Sequence, residues 1–336
     1  MTDVSSPPVV ATAPGRVNLI GDHTDTTGGL VLPMAVDLAT TVTGHRGGTE
    51  VVLTSDTEGA EARISLSIAD PASVSGWARY VAGVVDELRP DVGFTGQVTT
   101  DLPVGAGLSS SAALEVAVAL ALGFEGDPVE LAQLTRRAEQ AASGVPCGIM
   151  DQLASAAGVA GHALLIDCHS LDVTPVAIPE NVEIRVIHSG QSRELAGSAY
   201  GERTRSLEAA EAIVGPLRLV SDPADLDAIA DPLLRRRARH VVTENERVRG
   251  AVSAIGRRDL VAVGTAMAAS HRSLRDDFEV STPVLDRLVE RLTATPGVFG
   301  ARLTGAGFGG CVVALTEPGV LDEGWLVRPS AGAHLR

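Results

Sequence analysis

Apolar and polar residues follow each other in segments that predict a mixture of helices and strands. Helical spacing of apolar residues occurs at 77–88, 110–122 and 127–143, and the last segment has Asp127 as N-cap and Pro128 in its first turn. Runs rich in Val, Leu and Thr lie between them and predict strands, among them LVLPMAVDLATTVTGH, EVVLTSD, FTGQVTTDLP and GHALLIDCHS. The first half of the chain is therefore expected to combine strands with helices.

The second half begins after a proline-containing stretch, residues 172–182, which is predicted to be an interdomain linker. The strand EIRVIHS follows, and then helical segments at about 198–212, 232–255 and 284–292. Near the end, GARLTGAGFGGCVVALT predicts a strand, a glycine loop and a buried strand, and WLVRPSAGA predicts a final strand. The pattern favours an α+β chain of two domains.

Composition narrows the possible partners. The chain has 336 residues, 45% of them apolar and 21% charged, with a net charge of −15. Such acidity argues against a nucleic acid or an anionic membrane as partner, since both need a basic surface. The first residues lack the pattern of a signal peptide, and no apolar run is long enough to span a membrane. Cys147, Cys168 and Cys311 form no CxxC pair, so we expect a cytoplasmic protein with reduced thiols.

The absence of lysine excludes two kinds of site. All 27 basic residues are arginine. A Walker A loop needs a lysine to reach the outer phosphates, and a Schiff base needs a lysine amine. If the chain binds a nucleotide, backbone amides, hydroxyls, arginine and a metal ion must therefore hold its phosphates.

One loop has the composition of such a phosphate site. In LPVGAGLSSSAALEVAVALALG, glycines and three serines precede a long apolar helix. A helix N-terminus offers unpaired N–H groups and a partial positive charge, and glycines let the backbone approach an anion closely. The hydroxyl of Ser111 could also join the coordination shell of a magnesium ion that bridges phosphates. On composition alone, an ordinary loop with a serine cap remains an equal alternative.

Several motifs in this sequence resemble those of one kinase family. PVGAGLSSSAA is similar to the phosphate-binding motif of the GHMP kinases, and APGRVNLIGDHTDTTGGLVLPMAVD (13–37) resembles the galactokinase signature of that superfamily. GARLTGAGFGGCVVAL (300–315) resembles its third, C-terminal glycine motif. PCGIMDQLAS (146–155) and SHRSLRDDFEVS (270–281) are also similar to galactokinase segments. The resemblance runs from about residue 11 to 316, with the motifs in the family's order.

The resemblance implies a two-domain GHMP kinase fold of the α+β class. Residues 1–178 would form an N-terminal domain like ribosomal protein S5 domain 2, with the sugar signature and the phosphate loop. Residues 179–336 would form a ferredoxin-like C-terminal domain. The active site is then expected in the cleft between them, in a monomer.

The implied activity is transfer of the γ-phosphoryl group of ATP to the anomeric hydroxyl of a sugar, with galactose first among the candidates. Asp151 matches the family's catalytic aspartate and Arg16 its companion arginine. An aspartate in this position can take the hydroxyl proton as a base or only orient the attacking oxygen, and the sequence leaves both roles open.

The resemblance also implies the nucleotide and metal contacts. Ser111 and Glu139 match the family's magnesium ligands. Trp77 matches a tryptophan at the adenine, although a core position is an equal alternative for this scarce residue. The phosphates would lie against the loop formed by Gly105, Ala106, Gly107, Leu108, Ser109, Ser110, Ser111 and Ala112.

The sugar would be held by the signature loop and two further positions. Asp22, His23 and Asp25 match residues that bind sugar hydroxyls, Gly148 would add a backbone contact, and Tyr200 matches a tyrosine that touches the sugar. Carboxylates suit this role because each can accept hydrogen bonds from adjacent hydroxyls.

Two departures from the family pattern bear on specificity. The family has glutamate at the position of Asp22, near the sugar's exocyclic hydroxyl, and Tyr-Asn in place of Thr26 and Thr27. The shorter Asp22 retracts the carboxylate by about one C–C bond length. The alternatives are therefore a kinase of L-arabinose or N-acetylgalactosamine, or a catalytically silent sugar sensor. The intact serine loop and Asp151 weigh against the sensor.

Overall fold

The computed structural model describes residues 8–103, 107–191 and 196–336, and three β-sheets lie within them. The first sheet has the strand order β13-β1-β3-β6-β4-β5, the second β10-β11-β9-β12, and the third β2-β7-β8. The strands are β1 (Val9–Asn18), β2 (Leu30–Val31), β3 (Pro33–Arg46), β4 (Glu50–Ser55), β5 (Ala62–Ser65), β6 (Phe94–Thr100), β7 (His162–Asp167), β8 (Val173–Ala177), β9 (Glu183–His188), β10 (Val298–Thr304), β11 (Cys311–Thr316), β12 (Trp325–Val327) and β13 (His334–Leu335).

The α-helices pack on these sheets and on one another. They are α1 (Ala78–Leu88), α2 (Ser110–Leu122), α3 (Pro128–Ser143), α4 (Met150–Ala157), α5 (Ala196–Val214), α6 (Pro232–Gly256), α7 (Leu260–Asp276) and α8 (Pro283–Thr293). None of the helices in the described part of the chain is both long and apolar enough to cross a membrane. The predicted α+β class is confirmed.

Helices α1 and α2 cover the first sheet, α3 packs on both of them, and all three share one apolar core with the sheet. Helix α2 is apolar around its whole circumference, and nearly all of its residues are buried. A helix with that pattern is stable only inside a core. The N-terminal end of α2, which carries the serine loop, is therefore held firmly by its own packing.

The second sheet carries the later helices. All six residues of β11 are buried, as the pattern of this segment predicts. Helix α7 passes so close to β10 that a Cβ on Gly264 would lie 1.7 Å from the Phe299 carbonyl oxygen. The sequence pattern did not predict α7. The small residues of α7 weaken its apolar periodicity, so the pattern does not indicate a helix. The same small residues allow the helix to pack this closely on β10.

The predicted linker at 172–182 is wrong in part, because Val173–Ala177 forms β8 and pairs with β7. Strand β8 lies at the edge of its sheet, so the missing N–H of Pro175 breaks no second ladder. The end of the chain returns to the first sheet, where β13 pairs with β1. The division into residues 1–178 and 179–336 stays a prediction.

Several elements converge at the end of β1. The Arg16 N–H donates to the Leu108 carbonyl over 3.0 Å, which ties β1 to the serine loop. The Ser155 hydroxyl on α4 donates to the Pro14 carbonyl over 2.7 Å. A Cβ on Gly15 would lie 2.5 Å from the Leu108 carbonyl oxygen, so only glycine allows this approach. Strand β1, the start of α2 and the start of α4 are thus brought to one point.

Candidate active site

A cavity of about 310 Å³ lies at this point of convergence. Both sequence halves line it, since Gly305 and Ala306 after β10 face the motifs of the first half. Twelve of the predicted site residues are among its lining: Arg16, Asp22, His23, Asp25, Gly107, Ser109, Ser110, Ser111, Glu139, Gly148, Asp151 and Tyr200. The sequence motifs therefore meet in one place.

Other predicted residues lie elsewhere. Leu108 and Ala112 point their side chains into the core, so they can offer a ligand only backbone groups. Gly105 and Ala106 fall outside the described residues. Trp77 donates its indole N–H to the Ala60 carbonyl over 2.9 Å. Its side chain packs against the apolar core of the first sheet and does not line the cavity. Its adenine contact stays a prediction.

Arg16 and Asp151 form a bidentate ion pair in the cavity. Arg16 Nε donates to Asp151 Oδ1 over 2.8 Å, and Nη2 donates to Oδ2 over 2.6 Å. The third nitrogen, Nη1, donates to the Gly107 carbonyl over 2.6 Å. Arg16 is buried, whereas the Asp151 side chain is 29% exposed toward the cavity. Two parallel charge-assisted bonds fix the orientation of the carboxylate and leave one of its edges open.

The serine loop meets the same pair. Ser109 has φ 58°, in the left-handed region, and its hydroxyl donates to Asp151 Oδ2. The first internal bond of α2 runs from Ala113 N–H to the Ser109 carbonyl. The N–H groups of Ser110, Ser111 and Ala112 precede that bond and so have no partner within the helix. This helix end has the donors and the partial positive charge of an anion site.

Two glutamates, Glu139 and Glu115, lie beneath the serine loop. The Ser111 hydroxyl donates to Glu139 Oε1 over 2.8 Å, and the Gln152 amide donates to Oε2 over 2.5 Å. Glu115 is completely buried, and neither of its carboxylate oxygens has a hydrogen-bonding partner among the described residues. Burial and the nearby charge of Glu139 raise the pKa of Glu115 well above its usual range. Burial and Asp151 likewise raise the pKa of Glu139.

The signature loop presents a second polar surface. His23 is buried with φ 66°, and its Nε2 has no partner among the described residues. Its ring lies 5.5 Å from that of Tyr200, centroid to centroid. Burial and the nearby His240 lower the pKa of His23, so its ring is neutral. Burial and the charge of Asp25 raise the pKa of Tyr200, so the phenol keeps its proton as a donor.

Gly148 allows Asp25 to approach closely. A Cβ at position 148 would lie 1.9 Å from Asp25 Oδ2, which no side chain could relieve without moving the carboxylate. Asp25 is half-buried at the cavity wall. Burial raises its pKa to about 6, and the charges of Asp151 and Asp22 contribute to the shift. A glycine before α4 thus sets how far Asp25 reaches into the cavity.

Asp22 is already engaged by the second half of the chain. Gly305 N–H donates to its Oδ1 over 2.9 Å, and Arg302 on β10 donates to Oδ2. The side chains of Arg302 and Asp22 are 0% and 2% exposed. Asp22 therefore lines the cavity and also joins the signature loop to the third glycine motif.

The geometry agrees with what comparison with known proteins shows. The model for the galactokinase galactose-binding signature matches residues 2–46, and those for the GHMP kinases N terminal domain and C terminal match residues 79–159 and 251–324. The galactokinase of Homo sapiens is 43% identical, and the match covers 93% of this chain and 85% of that protein. The chain belongs to the galactokinase family. The galactokinase of Haemophilus influenzae is 41% identical, and the match covers 94% of this chain and 87% of that protein.

Solved structures agree on the fold of this galactokinase-family chain. Lactococcus lactis galactokinase complexed with galactose matches with a TM-score of 0.89 and 31% identity, covering 97% of this chain and 95% of that one. The Methanococcus jannaschii mevalonate kinase matches with a TM-score of 0.68 and 20% identity, over 92% and 90% of the two chains. The two-domain GHMP kinase fold expected from the motifs is confirmed.

Sequence reasoning missed two site residues in this family member. Arg302 lies among the apolar residues of strand β10. An arginine in such a segment is expected to be buried, and a buried arginine needs a buried acidic partner, so the sequence did contain a signal for this ion pair. Glu115 is the only acid in the apolar run of α2. An acid inside a buried helix is a functional-site signal of the same kind.

Proposed function

We propose that the protein phosphorylates galactose at its anomeric hydroxyl, using ATP and releasing ADP and galactose 1-phosphate. The observation that carries this proposal is the Arg16–Asp151 pair, which lies between the serine loop and the signature loop in one cavity. Membership of the galactokinase family supports the same reaction. The cavity volume also suits a monosaccharide beside the terminal phosphate of a nucleotide.

The sugar is bound by groups that complement hydroxyls. Asp25 accepts hydrogen bonds, Tyr200 donates one, and His23 offers a buried nitrogen that has no partner among the residues described. A buried polar atom without a partner is costly, and a sugar hydroxyl would satisfy it. Gly148 leaves room for the Asp25 carboxylate and would add a backbone contact to the sugar. Asp22 contributes through the wall it forms with Arg302.

Transfer depends on how the acceptor hydroxyl is oriented. The anomeric hydroxyl donates to the open edge of Asp151, and Arg16 holds that carboxylate in a fixed plane. Arg16 also places positive charge where negative charge develops on the phosphoryl oxygens. Because phosphoryl transfer is dominated by positioning and charge neutralisation, Asp151 acts first as an orienting group and accepts the proton as transfer proceeds.

The nucleotide is proposed to place its phosphates at the start of α2, with Mg²⁺ held by Ser111 and Glu139. No set of three or more His, Cys, Asp or Glu side chains that could hold a metal occurs in 8–103, 107–191 and 196–336. That is compatible with Mg²⁺, which takes few protein ligands when phosphates and water supply the rest. Burial raises the pKa values of Glu115 and Glu139, and a cation bound beside them would favour their ionised forms. When bound, the ion supplies positive charge to the phosphate oxygens.

A panel of sugars tests the proposed function. ADP release by the purified protein with ATP and MgCl₂ is measured with galactose, L-arabinose, N-acetylgalactosamine, glucose and no sugar. We expect galactose to give the highest kcat/KM, with turnover lost when EDTA replaces MgCl₂. A higher kcat/KM with L-arabinose or N-acetylgalactosamine than with galactose would show that this other sugar is the preferred substrate. Galactose binding without any ADP release would support a sugar sensor in place of an enzyme.

The pKa of Asp25 predicts an acid limb in the pH profile. Asp25 must be ionised to accept two hydroxyl hydrogen bonds, and its pKa is raised to about 6. Below that pH the carboxyl is protonated, so kcat/KM for galactose is expected to fall about tenfold between pH 7 and pH 5. The profile of Asp25→Asn, although lower, should lack this limb. Identical limbs in the two proteins would assign the titration to another group.

The oligomeric state and the cellular location stay predictions from the sequence: a monomer in the cytoplasm. Size-exclusion chromatography with light scattering measures the first.

A further inference from the structure

Helix α6 reaches the signature loop with three buried side chains. His240, Glu244 and Asn245 lie on one face of the helix and are 0%, 0% and 4% exposed. Each hydrogen-bonds a main-chain group of the segment from Gly21 to Leu30. We call these three residues the α6 clamp. None of them lines the cavity.

Glu244 holds the start of the loop. Its Oε1 accepts the Gly21 N–H over 3.0 Å and the Ser270 hydroxyl over 2.5 Å, and Oε2 accepts from Arg247 Nε over 2.6 Å. Burial alone would raise the pKa of Glu244, but the interactions with its neighbours, the charge of Arg247 first among them, outweigh burial and lower the pKa to about 2. An ionised, fully partnered carboxylate therefore fixes the amide of Gly21, a residue with φ 99°.

His240 holds the next residue. Its Nε2 lies 3.1 Å from the Asp22 carbonyl, and its Nδ1 lies 3.0 Å from the Ser273 hydroxyl. A carbonyl only accepts, so Nε2 carries a hydrogen and donates it to Asp22. The His240 ring also packs on Phe278 at 4.8 Å, and Phe278 packs on His23 at 4.6 Å. His240 thus supports His23 through the backbone before it and through an aromatic contact.

Asn245 holds the end of the loop. Its Oδ1 accepts the Leu30 N–H over 2.8 Å. A Cβ on Gly29 would lie 2.6 Å from that same oxygen, so the glycine makes room for the amide. The clamp therefore grips both ends of a segment in which His23 and Gly28 have left-handed φ values of 66° and 67°. Glycine adopts this conformation readily, whereas a non-glycine residue such as His23 keeps it only when the surroundings enforce it.

We propose that the α6 clamp is a set of positioning residues for the sugar site, a role that rests on the proposed galactokinase function. His240, Glu244 and Asn245 set the backbone of the signature loop, and that backbone sets where His23 and Asp25 meet the sugar hydroxyls. The described residues of the serine loop, 107–112, make their contacts with β1, α3 and α4 and none with the clamp, so we expect the nucleotide side of the cavity to be affected less.

Asn245→Ala tests the clamp with the least disturbance to the fold. Loss of the Leu30 hydrogen bond is expected to raise KM for galactose about tenfold, with KM for ATP changed less than about twofold. Asn245→Asp keeps an oxygen acceptor and is expected to restore most of the galactose affinity. Glu246→Gln on the exposed face of α6 is the matched control and should leave both constants unchanged.

Two readouts separate this role from a purely structural one. Equal increases in both KM values, or a lower melting temperature with an unchanged galactose KM, would overturn the proposal. Hydrogen exchange of the peptide covering residues 19–32 needs no turnover, and it should be faster in Asn245→Ala than in Glu246→Gln. Unchanged exchange there would show that the clamp does not hold the loop. If the wild-type protein turns over no galactose but exchange is still faster in Asn245→Ala than in Glu246→Gln, the proposed function is contradicted. The conclusion that the clamp holds the loop then still stands.

Discussion

Replacing Asp151 with asparagine is expected to lower kcat by about 10²–10⁴-fold, the range typical for removal of a positioned acid–base group. Asparagine is isosteric, so its oxygen can still accept from Arg16, and the fold should be retained. It has no negative charge and cannot take the proton of the anomeric hydroxyl. Galactose binding measured by calorimetry should change much less than kcat, because Asp151 acts on the reacting oxygen.

A second consequence of this variant follows from the charge of Asp151. That charge is one of the causes that raise the pKa of Asp25. In Asp151→Asn the pH midpoint of galactose binding should therefore move below about 6. Asp172→Asn, an exposed aspartate in the β7–β8 hairpin, is the control. A near-normal kcat in Asp151→Asn would remove Asp151 from the mechanism.

Replacing Arg302 with methionine is expected to cost about 3–5 kcal/mol of unfolding free energy, because it leaves the Asp22 carboxylate buried without its cation. Both partners are almost fully buried, and of the described residues only Gly305, through its N–H, would still hydrogen-bond the Asp22 carboxylate. The loss is measured by urea denaturation at pH 7. Since the pair joins β10 to the signature loop, KM for galactose should rise as well.

The double variant Arg302→Met with Asp22→Asn isolates the pair. Removing both charges should recover at least half of the lost stability, since a neutral asparagine can still accept from Gly305. Arg328→Met is the control: the Arg328–Asp37 pair is 3.6 Å apart, with side chains 68% and 38% exposed, and should contribute less than about 1 kcal/mol. Strictly additive losses in the double variant would show that Arg302 and Asp22 do not interact.

Local pattern was sufficient for many elements. The helix predicted at 110–122 has those bounds, and Asp127 caps α3 with a complete capping box. Such features depend on residues within one turn of each other, so the sequence displays them directly. The motifs also predicted which residues meet in the cavity, because each motif folds as a local unit at the end of a strand or helix.

Contacts between residues far apart in the sequence could not be predicted from local patterns. Arg302 is separated from Asp22 by 280 positions, and Glu244 from Gly21 by 223. Nothing near Asp22 in the sequence shows that its carboxylate is engaged by a strand of the other half. The linker prediction at 172–182 gave the proline too much weight, because an edge strand tolerates it.

The crystal structure of the protein with galactose and a non-hydrolysable ATP analogue tests the central claim most directly. We expect the anomeric oxygen within hydrogen-bonding distance of Asp151, the sugar against His23 and Asp25, and the phosphates at the start of α2 beside Ser111. Phosphates placed away from this helix end, or a sugar outside the cavity around Arg16, would contradict it.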